Sequence, residues 1–264
     1  MRRRIAVLAA LLALSVALPA ARSQTPPPAA SLIDAITARG ALRVGLTGDY
    51  KPFSIVDASV PAGMQGLDVD MAQSLAKSLG VKLRIVKTTW RTLMPDLLAG
   101  KFDIAMGGIT VTLLRARTAL FSAPVVQSGK TAMALCANAS KYQTLAEIDQ
   151  PGVRVVTNPG GTNEIFDRAN LHKAEIVLAK TNPEAIQDLL DRKADVMITD
   201  GVETLLQHRL HPNLCPIHPD QPYNHFELAY MLPRDLIWQQ YVDTWLRIET
   251  LDGERAALLR KWLD

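Results

Sequence analysis

This sequence predicts an α/β protein of two lobes, and three observations predict it. Short apolar strand patterns alternate with helical ones through most of the chain, the arrangement of βαβ units. The order of elements begins afresh after residues 121–126, as if the chain crossed into a second unit there. Residues 211–224 then carry Pro212, Pro216, Pro219 and Pro222 among polar neighbours, and read as a loop returning across the molecule. The expected division is residues 31–124 plus 225–264 for the first lobe and 125–224 for an inserted second. A cleft lies between them, where small-molecule sites are favoured.

The elements follow in order. Residues 1–23 open with Arg2, Arg3 and Arg4, continue as a short apolar run to Leu18, and end in Ala21-Arg22-Ser23. That pattern predicts a cleavable secretory leader, too short to be a comfortable membrane anchor, and hence a periplasmic mature chain. Residues 24–30 are a proline-rich, disordered lead-in. A capped helix is expected over 31–39, stopped by Gly40, then a strand over 42–47 and a turn over 48–53. Met71, Leu75 and Leu79 recur at helical spacing before Gly80. Residues 81–86 alternate like a strand, 90–99 read as a helix and 103–106 as a buried strand. The second half predicts strands at 131–136, 153–156, 175–178 and 195–199. Helices are expected near Leu145, after residue 162, over 183–192 and over 203–208. A strand over 227–232 and one or two amphipathic helices with Trp238, Trp245 and Trp262 close the chain.

Hydrophobic residues make up 48% and charged residues 21% of the 264, an ordinary globular composition. Formal charge is +3, but the leader holds four arginines and no acid, so the mature chain is at −1. No basic patch remains to argue for nucleic acid. Cys136 and Cys215, in an exported protein, predict a disulfide.

Residues 153–168 are the pivotal stretch. A β-branched strand runs into Asn158-Pro159-Gly160-Gly161, and Thr162 or Asn163 is placed to cap the helix that follows. Unpaired N–H groups and a positive dipole end then converge on one spot, which suits a carboxylate or a phosphate. An ordinary strand-to-helix turn would look the same.

Several stretches resemble the periplasmic extracellular solute-binding proteins that carry amino acids to ABC transporters. They are Leu42-Arg-Val-Gly-Leu, Gly66-Leu-Asp-Val-Asp-Met-Ala, Phe102-Asp-Ile-Ala-Met-Gly-Gly-Ile-Thr, and Arg115 followed by Phe121-Ser-Ala-Pro. Within that family, Thr47-Gly-Asp-Tyr-Lys-Pro-Phe-Ser54, Asn158-Pro-Gly-Gly-Thr-Asn-Glu164 and Thr199-Asp-Gly-Val-Glu203 resemble a catalytic offshoot. That offshoot is the cyclohexadienyl dehydratases, which convert prephenate to phenylpyruvate and arogenate to phenylalanine. The resemblance implies a type II periplasmic-binding-protein fold whose cleft closes on its ligand, and an enzyme needing no cofactor or metal.

It also implies roles. Arg115 grips a carboxylate, its planar fork matching the two oxygens, with Thr110 as a hydroxyl donor. Lys130 faces the second carboxylate, although a solvated hinge lysine fits the sequence equally; the dehydratase pattern has Asp-Gly-Lys-Thr where this chain has Ser128-Gly-Lys-Thr. A phosphate-binding loop is excluded there because position 124 is proline. Glu203 matches the general acid that protonates the departing hydroxyl, against the plainer reading of a first-turn helix glutamate. Asp200 serves a dehydratase or the ammonium of an amino-acid ligand alike. Tyr50 and Trp90 form an aromatic wall, or Trp90 packs the core. Asn158, Gly161 and Thr162 add hydrogen bonds. His208, His211, His218 and His225 match no trusted ligand spacing and read as a solvated loop. The expected partner is a small diacid substrate, and a monomer and a homo-oligomer both remain open. The rival function is a non-catalytic amino-acid receptor for an importer.

Overall fold

Ser31 opens the described part of this computed structural model, residues 31–263; the expected leader and lead-in lie outside it. The Ser31 hydroxyl accepts the Ile33 N–H and Asp34 reaches back to the Ser31 N–H, a capping box that starts helix α1 (Leu32–Arg39). Gly40 ends it at φ 67°. Strand β1 (Ala41–Leu46) follows, then a three-stranded sheet of β2 (Asp49–Tyr50), β3 (Ser54–Val56) and β4 (Met64–Gln65) where only a turn was expected over 48–53. Next come α2 (Leu67–Ser78), β5 (Lys82–Lys87), α3 (Leu93–Leu98), β6 (Ile104–Thr110), α4 (Leu113–Ala116), β7 (Leu120–Phe121) and β8 (Val126–Ser128). The second sheet's chain supplies β9 (Lys130–Leu135), α5 (Leu145–Ile148), β10 (Arg154–Thr157), α6 (Thr162–Asn170) and β11 (Glu175–Leu178). It continues with α7 (Asn182–Leu190), β12 (Val196–Asp200), α8 (Gly201–Leu210) and β13 (Leu214–Ile217). The chain returns through β14 (Phe226–Leu232) to α9 (Leu236–Leu251) and α10 (Glu254–Leu263).

One large sheet has the order β5-β1-β6-β14-β7, with β8 also on β14; the other has the order β11-β10-β12-β9-β13. Each is parallel where βαβ units built it and antiparallel where a crossing strand joins, as β14 joins β6 and β9 joins β12. Because β8 still pairs with β14, the chain leaves the first sheet at Gly129 rather than at residue 125. That crossing is tight. A Cβ on Gly129 would lie 2.0 Å from the Asn224 carbonyl oxygen on the returning chain, so no other residue fits.

The predicted loop over 211–224 contains β13, an edge strand pairing with β9. An edge accepts Pro216 because one side of it makes no ladder bonds. The disulfide Cys136–Cys215 ties the residue just past β9 to β13. In the first lobe, Trp238 and Trp245 of α9 sink into the main core, each contributing about 2–3 kcal/mol by burial. The Trp238 indole N–H is kept satisfied by the Asp103 carbonyl at 3.0 Å.

Candidate functional site

The C-terminal end of β12 and the start of α8 place Thr199, Asp200 and Glu203 together at the cleft, the usual end of an α/β sheet for a ligand. Glu203 is the third residue of α8 and is fully buried. It does not fold back onto the Asp200 N–H as a capping glutamate would. One carboxyl oxygen accepts the Thr199 hydroxyl at 2.5 Å and the other accepts the Asn182 amide. Burial pushes its pKa up to about 8 and the neighbouring Asp200 charge adds to this; Thr199, Asn182 and Lys130 pull it back. At neutral pH the acid therefore keeps its proton.

Lys130, at the start of β9, is 2% exposed, which excludes the solvated hinge reading. Its ammonium donates to Asp200 at 2.5 Å, to the Thr162 hydroxyl at 3.1 Å and to the Asn163 side-chain oxygen. It also lies 5.1 Å from the centre of the Phe226 ring, a favourable cation–π position. From the opposite lobe, the Tyr50 hydroxyl donates to the second Asp200 oxygen at 2.5 Å. Asp200 thus joins a second-lobe lysine and a first-lobe tyrosine, and it fastens the cleft shut.

On the first lobe, the Arg115 guanidinium donates to the Thr110 carbonyl at 2.7 Å, and Arg115 is half-buried while Arg117 is exposed. Burial draws its pKa down to about 10, against the pull of Asp200, and it remains a cation at neutral pH. The Thr110 hydroxyl meets that of Thr162 across the cleft at 3.1 Å. Buried Asp68 accepts the N–H groups of Gly107 and Gly108 at 2.7 and 2.9 Å and the Tyr230 hydroxyl at 3.0 Å. It fixes the backbone from which Thr110 and Arg115 project. Nothing in the spacing of Gly66-Leu67-Asp68 announced that brace.

The glycine turn differs in detail from expectation. Gly161 precedes α6 in an extended conformation, and Thr162 is the first helical residue, with no side chain capping the end. The Thr162 hydroxyl is engaged instead by Thr110 and Lys130. The Gly160 N–H is occupied by Glu164 of the same helix at 2.7 Å, so the turn offers fewer free donors than its sequence promised.

Tyr50, Trp90, Thr110, Asn158, Gly161, Thr162, Asp200 and Glu203 all line one cavity. Tyr50 and Trp90 meet edge to face at 5.8 Å, and the Trp90 indole N–H is held by Asp49 at 3.1 Å. Trp90 is half-buried, so it both packs and walls. In this closed arrangement the free space is about 20 Å³, room for one water. A ligand enters only when the lobes part and the cross-cleft contacts yield. The roles of Asn182, Asn163 and Phe226 were not evident in the sequence; Asn182, beside Pro183 at a helix start, and Asn163, a cap candidate, carried local signals, and those spoke of helix geometry alone.

Among the described residues, the one group spaced like metal ligands is Cys136, His208 and Cys215. The two sulfurs are bonded to each other and are no longer thiolates able to bind a metal. His208 lies on α8, within the helix expected over 203–208, with Nδ1 2.5 Å from the Leu214 carbonyl.

Known proteins share this construction. A cyclohexadienyl dehydratase from Pseudomonas aeruginosa is 50% identical over 234 residues, 89% of this chain and 87% of that protein. The L-cystine-binding protein TcyJ of Escherichia coli is 28% identical over 66% of this chain and 64% of its own length. Among solved structures, the ancestral amino-acid-binding protein AncCDT-1, described as a precursor of cyclohexadienyl dehydratase, superposes with a TM-score of 0.82 at 35% identity. It covers 89% of this chain and all of its own. A point variant of an ancestral cyclohexadienyl dehydratase, AncCDT-3, matches at 50% identity with a TM-score of 0.56, covering 89% of this chain and 97% of its own. Residues 42–264 match throughout, and the chain belongs to the bacterial extracellular solute-binding proteins, family 3.

Proposed function

We propose that this protein is a periplasmic cyclohexadienyl dehydratase acting on prephenate, arogenate or both. One observation carries the reading beyond the similarity to the Pseudomonas enzyme: the carboxyl of Glu203 is fully buried at the cleft with a pKa of about 8. An amino-acid receptor gains nothing from a neutral acid there, whereas expelling hydroxide needs one.

With the lobes parted, the substrate's carboxylates replace the internal partners of Lys130 and Arg115, while Thr110, Thr162 and Asn158 complete the grip. Tyr50 and Trp90 stand beside the ring, and closure removes water. The bond from the ring to its carboxylate then breaks and releases CO2. Its electron pair enters the ring, and the ring carbon–oxygen bond breaks at the other end. Glu203 transfers its proton to the departing oxygen, which leaves as water. The products are phenylpyruvate or phenylalanine, and Glu203 ends as a carboxylate stabilised by Thr199 and Asn182. No cofactor enters this scheme.

The test is to mix purified protein with prephenate and follow the aromatic keto acid. Phenylpyruvate in excess of the protein, and its loss in Glu203→Gln, is the expected result. Tight capture of a proteinogenic amino acid with no product would make the chain a transport receptor.

A further inference from the structure

Glu203 borders two spaces, not one. Besides the cleft, it and Asn182 form the inner end of a separate chamber of about 250 Å³. This chamber lies between β2 and its following turn on the first lobe and α7 and α8 on the second. Asp49, Lys51, Ile186, Leu190, Gln207 and His211 are among its walls. Lys51 and the outer wall residues Gln187 and Leu210 are exposed, while Glu203, Asn182 and Gln207 are buried. The chamber therefore runs inward from solvent to the buried wall that Glu203, Asn182 and Gln207 share.

Two details mark the inner end as built for water. The buried Asn182 side-chain oxygen has no hydrogen-bond partner in the protein, an arrangement that ordered water ordinarily resolves. Gln207, one helical turn beyond Glu203 on α8, brings a second amide to the same space. The volume holds several waters, and the polar wall supplies the partners they need.

We propose that this chamber is the proton-return route to Glu203. The inference rests on the dehydratase reading. Each turnover takes one proton from Glu203 into the departing water, so the enzyme consumes one proton from solvent per cycle. The cleft cannot deliver it while shut, because its free space holds about one water. Through the chamber, a hydronium proton passes along water to the Glu203 carboxylate, which becomes the neutral acid again; no other bond changes. The ionisable groups facing the acid are Asp200, Lys130 and Tyr50 on the cleft side and Asp49, Lys51 and His211 around the chamber. While the lobes are shut, only the chamber-side groups are within reach of a proton arriving from outside.

The test plugs the chamber without touching the cleft. Leu190→Trp and Leu210→Trp each place a large side chain in its wall; Leu210 is 47% exposed, so that variant folds even if the first does not. Wild type and variants are mixed with prephenate in H2O and D2O, and product is followed through the first turnover and at steady state. The first turnover uses the proton already on Glu203 and should stay within about twofold of wild type, while the steady-state rate should fall about tenfold with a larger solvent isotope effect. An equal fall in both phases, or no change in either, overturns the route. Wild type that makes no phenylpyruvate overturns the dehydratase reading and this inference with it, an outcome distinct from an active wild type whose plugged variants behave normally.

Discussion

Lys130 and Asp200 are cross-strand partners in register on β9 and β12, and their side chains form an ion pair at 2.5 Å with 2% and 4% exposure. Opposite charges on neighbouring residues of one sheet face stabilise the pairing. Burial makes the arrangement intolerant of losing either member. Lys130→Met should lower stability by about 3 kcal/mol, since it strands the Asp200 charge. It should also raise KM more than it lowers kcat, because a carboxylate loses its partner in the ground state and transition state alike. Urea denaturation of Lys130→Met, Asp200→Asn and the double variant checks the first point: if the two losses simply add, the pair is not coupled.

Glu203 and the Thr199 hydroxyl give a prediction for pH. Activity needs Glu203 protonated, so kcat should be level below about pH 8 and fall tenfold per unit above it, given the pKa of about 8. Thr199 donates to this carboxyl and favours its charged form. Thr199→Val removes that donor, raises the pKa further and should move the alkaline limb to higher pH. A limb that moves down, or does not move, assigns the titration to another group.

Much of this was legible in the sequence, for a physical reason. Strand and helix periodicity reports which face of an element is buried, so 175–178 and the long helical tail around Trp238 and Trp245 lie where they were expected. Gly40 and Gly100 stop helices because only glycine takes their positive φ cheaply. What the pattern did not carry were contacts made at long separation. Asn182 reaches Glu203, Phe226 underlies Lys130 and Asp68 braces Gly107 and Gly108 of β6, and none of these pairs shares a local period. The short β13 has a loop's sequence, because Pro216 masks a strand whose edge position tolerates it.

Asp167 stores a pH-dependent liability. It is fully buried in α6, and neither its carboxyl oxygens nor the nearby Thr157 hydroxyl has a well-formed hydrogen bond. Burial pushes its pKa up to about 8 from 3.8, with Lys130 and Thr157 opposing. Folded protein holds this proton where unfolded protein has released it, so the linked stability is lost as pH rises from about 4 through about 8. Asp167→Asn removes that slope. Relative to wild type it should gain on the order of a few kcal/mol between pH 5 and pH 8, measured as the change in urea midpoint at the two values. A constant offset would mean that Asp167 does not titrate in this range.

The disulfide should be worth most to the second lobe. Cys136 and Cys215 are 79 residues apart, and closing a loop of that length removes unfolded-state entropy equivalent to about 4.5 kcal/mol at most. The bond joins the residue just past the end of β9 to β13, so β13, an edge strand interrupted by Pro216, depends on it for its pairing. Reduction, or Cys136→Ala with Cys215→Ala, should lower Tm by several degrees and should speed amide exchange along β13 before it touches β6 or β14. Because β9 also carries Lys130, a loosened β9–β13 pair should raise KM. Turnover at saturating substrate should persist, since Glu203 is held by β12, α7 and α8, which the disulfide does not join. If reduced protein shows uniform exchange in both sheets, the bond stabilises the whole chain and not the strand pair it links.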